Sequence, residues 1–130
     1  MVVSAVCVAG GLSGCRGGGG SEGRAGAAPR DPMVARGQRL VEDRACLSCH
    51  STDGTRLAGP TWKGLARSTV ELSDGRRVVA DRAYLRRAIQ DPDAETVKGF
   101  PSGLMASVIK PGSVNDQDAD AIAAYIETLK

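Results

Sequence analysis

Between positions 46 and 50 the chain runs Cys-Leu-Ser-Cys-His. A pair of thiols separated by two residues and followed at once by an imidazole is the C-x-x-C-H pattern through which a c-type haem is attached. The thiols of Cys46 and Cys49 can form thioethers with the two vinyl groups of the porphyrin. The imidazole of His50 is then held beneath the ring and offers a nitrogen to iron. A structural disulfide or half of a zinc site would use the same thiols. Zinc normally needs a second ligand pair, and none follows Cys49. A redox-active dithiol would need a βαβ context, which this pattern of elements lacks. His50 is the only histidine in the chain, so the motif takes it entirely.

Composition supports a large apolar cofactor. The 130 residues suffice for one small domain and a tail. Aromatic residues are only 3% of the chain: one Trp, one Phe and two Tyr. That is little material for a core of this size, and a buried porphyrin would supply the missing apolar surface. The net charge of +2 implies no particular partner and no nucleic acid.

The other two cysteines, Cys7 and Cys15, lie near the start. Residues 1–14 are small and apolar, too few to span a bilayer, and resemble the hydrophobic region of a secretory signal. Leu12-Ser13-Gly14-Cys15 resembles a bacterial lipobox, at which the signal is removed and the cysteine is lipidated. Cys7 would be discarded with the signal. An uncleaved apolar tail with a stray cysteine is the alternative. Residues 15–32 are rich in Gly, with Ala, Arg and Pro29, and are expected to form a flexible tether. The folded domain is expected over 33–130.

Within that domain Val34, Gly37, Leu40 and Val41 share one helical face, predicting a helix from Met33 to Arg44 with Asp31 as N-cap and Pro32 in the first turn. Gly37 inside it costs about 1 kcal/mol against Ala, which suggests a packing reason. Val70 and Leu72 alternate before Asp74-Gly75, and Val78-Val79 follow, predicting a hairpin. A helix is expected over Asp81–Gln90, capped by Asp81 and stopped by Asp91-Pro92. Its inner face carries Tyr84, Leu85, Ala88 and Ile89, and Arg82, Arg86 and Arg87 form a solvated outer face. Asp93 to Val114 is expected to be mostly loop, long enough to need a function. Met105 lies within it. Met1 is the initiator and Met33 is too close to the first helix, so Met105 is the methionine with the reach to bind iron opposite His50. Core gap-filling is its other possible role. A last helix is expected from Asn115 to Lys130, with Asn115 and Asp118 resembling a capping box.

Taken in order, the C-L-S-C-H motif, Gly59-Pro60-Thr61-Trp62, the distant Met105 and the closing helix resemble a class I cytochrome c. Segments such as G-P-T-W-K-G-L and V-K-G-F-P are similar to the cytochrome c domain fused to subunit II of some bacterial haem–copper oxidases. No paired transmembrane helices or copper domain precede the haem motif, so the resemblance is to that module on its own. It implies an all-α class I cytochrome c fold around one covalent haem c and its iron, with a small β-hairpin insertion. It implies that the Pro60 carbonyl accepts a hydrogen bond from the His50 ring. Trp62 is expected at the haem edge, donating to a propionate, with an ordinary buried tryptophan as the alternative. It also implies that the terminal helices cross, with Gly37 admitting Tyr125. The expected function is one-electron transfer with His50 and Met105 as axial ligands, not catalysis. The expected setting is the bacterial cell envelope, lipid-anchored on the periplasmic or outer side. The expected partners are a donor such as a quinol-oxidising complex and an acceptor such as a terminal oxidase. The alternatives are a haem enzyme or gas sensor with an open iron site, and a fixed cytochrome subunit of a larger complex.

Overall fold

The computed structural model describes residues 31–130. The expected signal, Cys7, the lipidation site at Cys15 and the tether as far as residue 30 lie outside the described residues.

The first helix, α1 (Pro32–Asp43), starts because Asp31 is extended and its carboxylate accepts the Met33 N–H at 2.8 Å, with proline in the first turn. A 3₁₀ turn over Cys46–Ser48 follows, entered through Ala45 in the left-handed region at φ 53°. The hairpin pairs β1 (Thr69–Glu71) with β2 (Arg77–Val79), antiparallel, with Val70 opposite Val78. Val70 and Leu72 point inward, as their alternation predicted, and Leu72 also bridges to Val97. That bridge is how a two-stranded sheet, marginal by itself, leans on the domain.

Helix α2 (Arg82–Gln90) is capped by Asp81, whose carboxylate accepts the Tyr84 N–H at 2.8 Å. Tyr84, Leu85 and Ile89 are buried. Its arginines do lie on the outer face, with Arg82 and Arg87 exposed, and each is ion-paired there. Arg82 pairs with Glu127, Arg86 lies 3.2 Å from both Asp116 and Asp120, and Arg87 lies 3.3 Å from Glu95. The acids of α4 favoured by the helix dipole also face α2 and neutralise it.

Residues 93–114 are not continuous loop. They contain a short helix, α3 (Leu104–Val108), and Met105 is on it. Gly103 sits at φ 78°, and its N–H donates to Asp93 Oδ1 at 2.7 Å. These two features start the turn.

Helix α4 (Asp116–Ile126) is capped by the Asn115 side chain, which accepts the Asp118 N–H at 2.9 Å. It ends before Lys130, where the Thr128 hydroxyl donates to the Tyr125 carbonyl at 2.7 Å. Helices α1 and α4 cross at Gly37. A Cβ there would lie 1.9 Å from the Ala121 carbonyl oxygen and 3.0 Å from Tyr125 Cβ. The glycine therefore answers first to the Ala121 backbone and only second to Tyr125. Val41, Ile122, Ile126, Tyr84 and Leu85 form the core around this crossing. Among the described residues no helix is long and apolar enough to cross a membrane.

Candidate haem site

The 3₁₀ turn keeps Cys46, Cys49 and His50 together. The N–H groups of Cys49 and His50 donate to the Cys46 carbonyl at 3.2 and 3.1 Å. The loop beyond His50 folds back, with the Gly59 N–H donating to the Cys49 carbonyl at 2.8 Å. The Ser51 hydroxyl, buried inside that loop, donates at 2.6 Å to the Thr55 carbonyl, and the Trp62 N–H donates at 2.8 Å to the Ser51 carbonyl. This network sets Pro60 and Trp62 against His50.

The Nδ1 of His50 lies 2.8 Å from the Pro60 carbonyl oxygen. A carbonyl only accepts, so that bond requires the proton on Nδ1 and leaves the lone pair on Nε2. Burial holds the imidazole below its ordinary pKa, the Pro60 bond working in the opposite direction. Burial thus favours the neutral imidazole, whose Nε2 lone pair is left free by the Pro60 bond. Trp62 is buried and stacks on this ring, with centroids 4.9 Å apart. Gly59 packs tightly against the same ring, since a Cβ there would meet His50 Cε1 at 2.6 Å.

Cys46, Cys49, His50, Pro60, Trp62 and Met105 all line one open cavity. The rest of its wall is mostly apolar: Leu65, Leu85, Ile89, Phe100, Ile109, Val114 and Ile122 among others. Sequence reading had placed several of these in the core but not on a cavity wall. Two charged residues also reach it, and both are paired: Arg44 with Asp118 at 3.6 Å, and Glu95 with Arg76 and Arg87. The two sulfurs are half-buried on the cavity wall and are not joined in a disulfide. Burial pushes the Cys46 thiol up, opposed by the nearby Arg44 charge. Among the described residues no three His, Cys, Asp or Glu side chains converge on a point that could hold a metal. An iron here would depend on the porphyrin's own nitrogens. A flat apolar group tethered at the two thiols fits this mostly apolar lining.

The comparisons with known proteins agree. The family model for Cytochrome c matches residues 34–130. Cytochrome c-552 of Nitrosomonas europaea is 29% identical over 93 residues, covering 70% of this chain and 76% of that protein. The structure of cytochrome cH from Methylobacterium extorquens superposes with a TM-score of 0.52 at 23% identity, over 73% of this chain and 97% of the other. Helices α1, α2 and α4 packed around the cavity, with one small antiparallel sheet at the side, are the class I cytochrome c fold. The match spans nearly the whole described domain, so the chain belongs to the cytochrome c family and is a carrier of electrons on a covalent c-type haem.

Proposed function

We propose that the chain carries one electron at a time on a haem joined by thioethers to Cys46 and Cys49, with His50 Nε2 and Met105 Sδ as axial ligands. The observation that supports this most is the shared cavity. The C-x-x-C-H turn and Met105, 55 positions beyond His50 in sequence, line the same walls. When bound, the haem supplies an iron that alternates between ferric and ferrous states, and a thioether ligand favours the ferrous one.

The chain's own residues do the rest. Pro60 fixes the His50 tautomer and raises its basicity as a ligand. Trp62 keeps the ring from turning. The apolar wall excludes water, which tunes the potential. Met105 would also occupy the position that a small ligand or peroxide needs, which favours a carrier over an enzyme or gas sensor. The lipobox-like Leu12–Cys15 run and the resemblance to the oxidase-linked domain support a lipid-anchored protein of the bacterial envelope. There it would take electrons from a quinol-oxidising complex and pass them to a terminal oxidase.

Two measurements test the core of this reading. Acid–acetone extraction should leave the colour on the protein. The ferric protein should show a weak sulfur-to-iron band in the near infrared, which Met105→Ala abolishes. Haem leaving entirely with the solvent, or rapid carbon monoxide binding by the unmutated ferrous protein, would overturn it.

A further inference from the structure

Arg56 lies on the loop between His50 and Pro60, exposed and outside any motif. Its guanidinium carbon sits 4.6 Å from the centre of the Phe100 ring. Its Nη2 donates to the Gly99 carbonyl at 2.8 Å. Phe100 also lines the haem cavity, on the segment that leads into α3 and Met105. Arg56 thus holds from outside a residue that walls the cavity from inside. The contact joins the loop that carries the His50 support to the segment that carries Met105, 43 positions apart.

We propose that Arg56 and Phe100 form a clasp that sets how readily the Met105 side of the site opens. The rest of the 93–109 segment is tied elsewhere. Leu72 bridges to Val97, the Ser73 N–H donates to the Thr96 carbonyl, and Lys98 pairs with Glu71 at 2.7 Å. These ties hold the segment to the hairpin. Arg56 contributes a tie to the histidine side. A guanidinium over a ring face combined with a hydrogen bond to a neighbouring carbonyl is geometrically specific, and lysine does not reproduce both. Arg56 is a positioning residue acting through Phe100, and the inference rests on Met105 as the axial ligand.

Two readouts on the haem-loaded protein test it. The first is backbone hydrogen exchange over residues 98–106, which does not depend on what binds iron. Arg56→Ala and Phe100→Leu should each speed it roughly tenfold, and the double variant little more than either, from the loss of one cation–π contact and one hydrogen bond. The second is the limiting rate at which imidazole enters the ferric site, followed by loss of the sulfur-to-iron band. It should rise by a similar factor in Arg56→Ala, fall partway back in Arg56→Lys, and stay unchanged in Arg39→Gln on α1. Unchanged exchange in Arg56→Ala overturns the clasp, as does an imidazole rate that Arg56→Ala leaves within twofold. A missing sulfur-to-iron band in the unmutated protein, with exchange still accelerated by Arg56→Ala, instead refutes the Met105 assignment and leaves the tie between the two segments standing.

Discussion

The imidazole of His50 and the indole of Trp62 lie 4.9 Å apart, centroid to centroid, with 21° between their planes. Trp62 thus backs the histidine as well as lining the cavity, and its burial comes partly from His50. Offset stacking of this kind adds about 0.5–1.5 kcal/mol beyond the area buried. Trp62→Ala should lower stability by about 3–5 kcal/mol, the usual cost of truncating a large core aromatic. Trp62→Phe should keep most of the stack and lose far less. Denaturant unfolding of the haem-loaded protein measures both. Equal losses for the two variants would show that the stack is incidental.

Gly37 gives a prediction with a sign that helix propensity alone gets wrong. In an exposed helix Gly→Ala gains about 1 kcal/mol. Here the added Cβ would fall 1.9 Å from the Ala121 carbonyl oxygen, a backbone atom that cannot swing away. Helices α1 and α4 would have to separate. Gly37→Ala should destabilise the domain by about 1–3 kcal/mol, with Gly37→Val worse. An unchanged or raised midpoint in thermal unfolding would place the crossing elsewhere.

Asp118 ties the same helices electrostatically. It is 7% exposed, accepts from Arg36 Nη2 at 2.6 Å and Nε at 3.2 Å, and lies 3.6 Å from Arg44. The Arg44 side chain lines the cavity and reaches this carboxylate through Nη2. Breaking a fully buried pair costs about 3–5 kcal/mol. Arg36 is half-exposed, with 51% of its side chain accessible, so water screens part of that loss. Asp118→Asn should cost about 1–3 kcal/mol, more than Arg36→Met. Equal effects in denaturant unfolding would mean that Arg44 contributes nothing.

What was legible in the sequence, and what was not, follows from the range of each interaction. The caps at Asp31, Asp81 and Asn115 are side-chain bonds to an N–H two or three residues away, so local sequence carries them. The hairpin announced itself through Asp74-Gly75 and the alternation around it. The turn of α3 depends on Asp93, ten positions from Gly103, and no local pattern shows that. The ion pairs of the α2 arginines were not legible because their partners, Asp116, Asp120 and Glu127, lie far along the chain, in α4 and just after it. The motif residues were readable because chemistry fixes their spacing. The apolar wall was not, because a leucine facing a cofactor and one facing a core look alike.

One exposed pair supports a pH dependence. Lys98 beside Glu71 holds that carboxyl below its ordinary value of 4.5, through a hydrogen bond and charge. A carboxyl with a lowered folded pKa contributes stability above its unfolded value and loses it as pH falls through the folded one. The tie between the hairpin and the 97–98 segment should therefore weaken below about pH 4.5, and less so in high salt. Lys98→Met should flatten the acid limb of a stability–pH curve. An identical limb in that variant would assign the acid sensitivity to other carboxylates.

Gly59 offers the sharpest test of how the histidine is held. Gly59 opens the Gly59-Pro60-Thr61-Trp62 motif, but its neighbour Pro60 carries the hydrogen bond. Yet a Cβ at Gly59 would lie 2.6 Å from His50 Cε1, 2.9 Å from Nδ1 and 3.0 Å from Nε2. All three atoms belong to the ring, so the imidazole as a whole would be displaced. Trp62 stacks on the same ring and limits where it can go. Displacement lengthens the 2.8 Å bond from Nδ1 to the Pro60 carbonyl, and under the proposed His50 ligation that bond strengthens the imidazole as a donor to iron. A stronger donor favours the ferric state. Gly59→Ala should therefore raise the reduction potential while leaving the thioethers intact and the sulfur-to-iron band present. Met105→Ala should lower the potential and remove the band, so the two ligand sides are separable by sign. A potential unchanged or lowered in Gly59→Ala, measured by redox titration with the haem still covalently attached, would show that close packing at Gly59 does not position the ring.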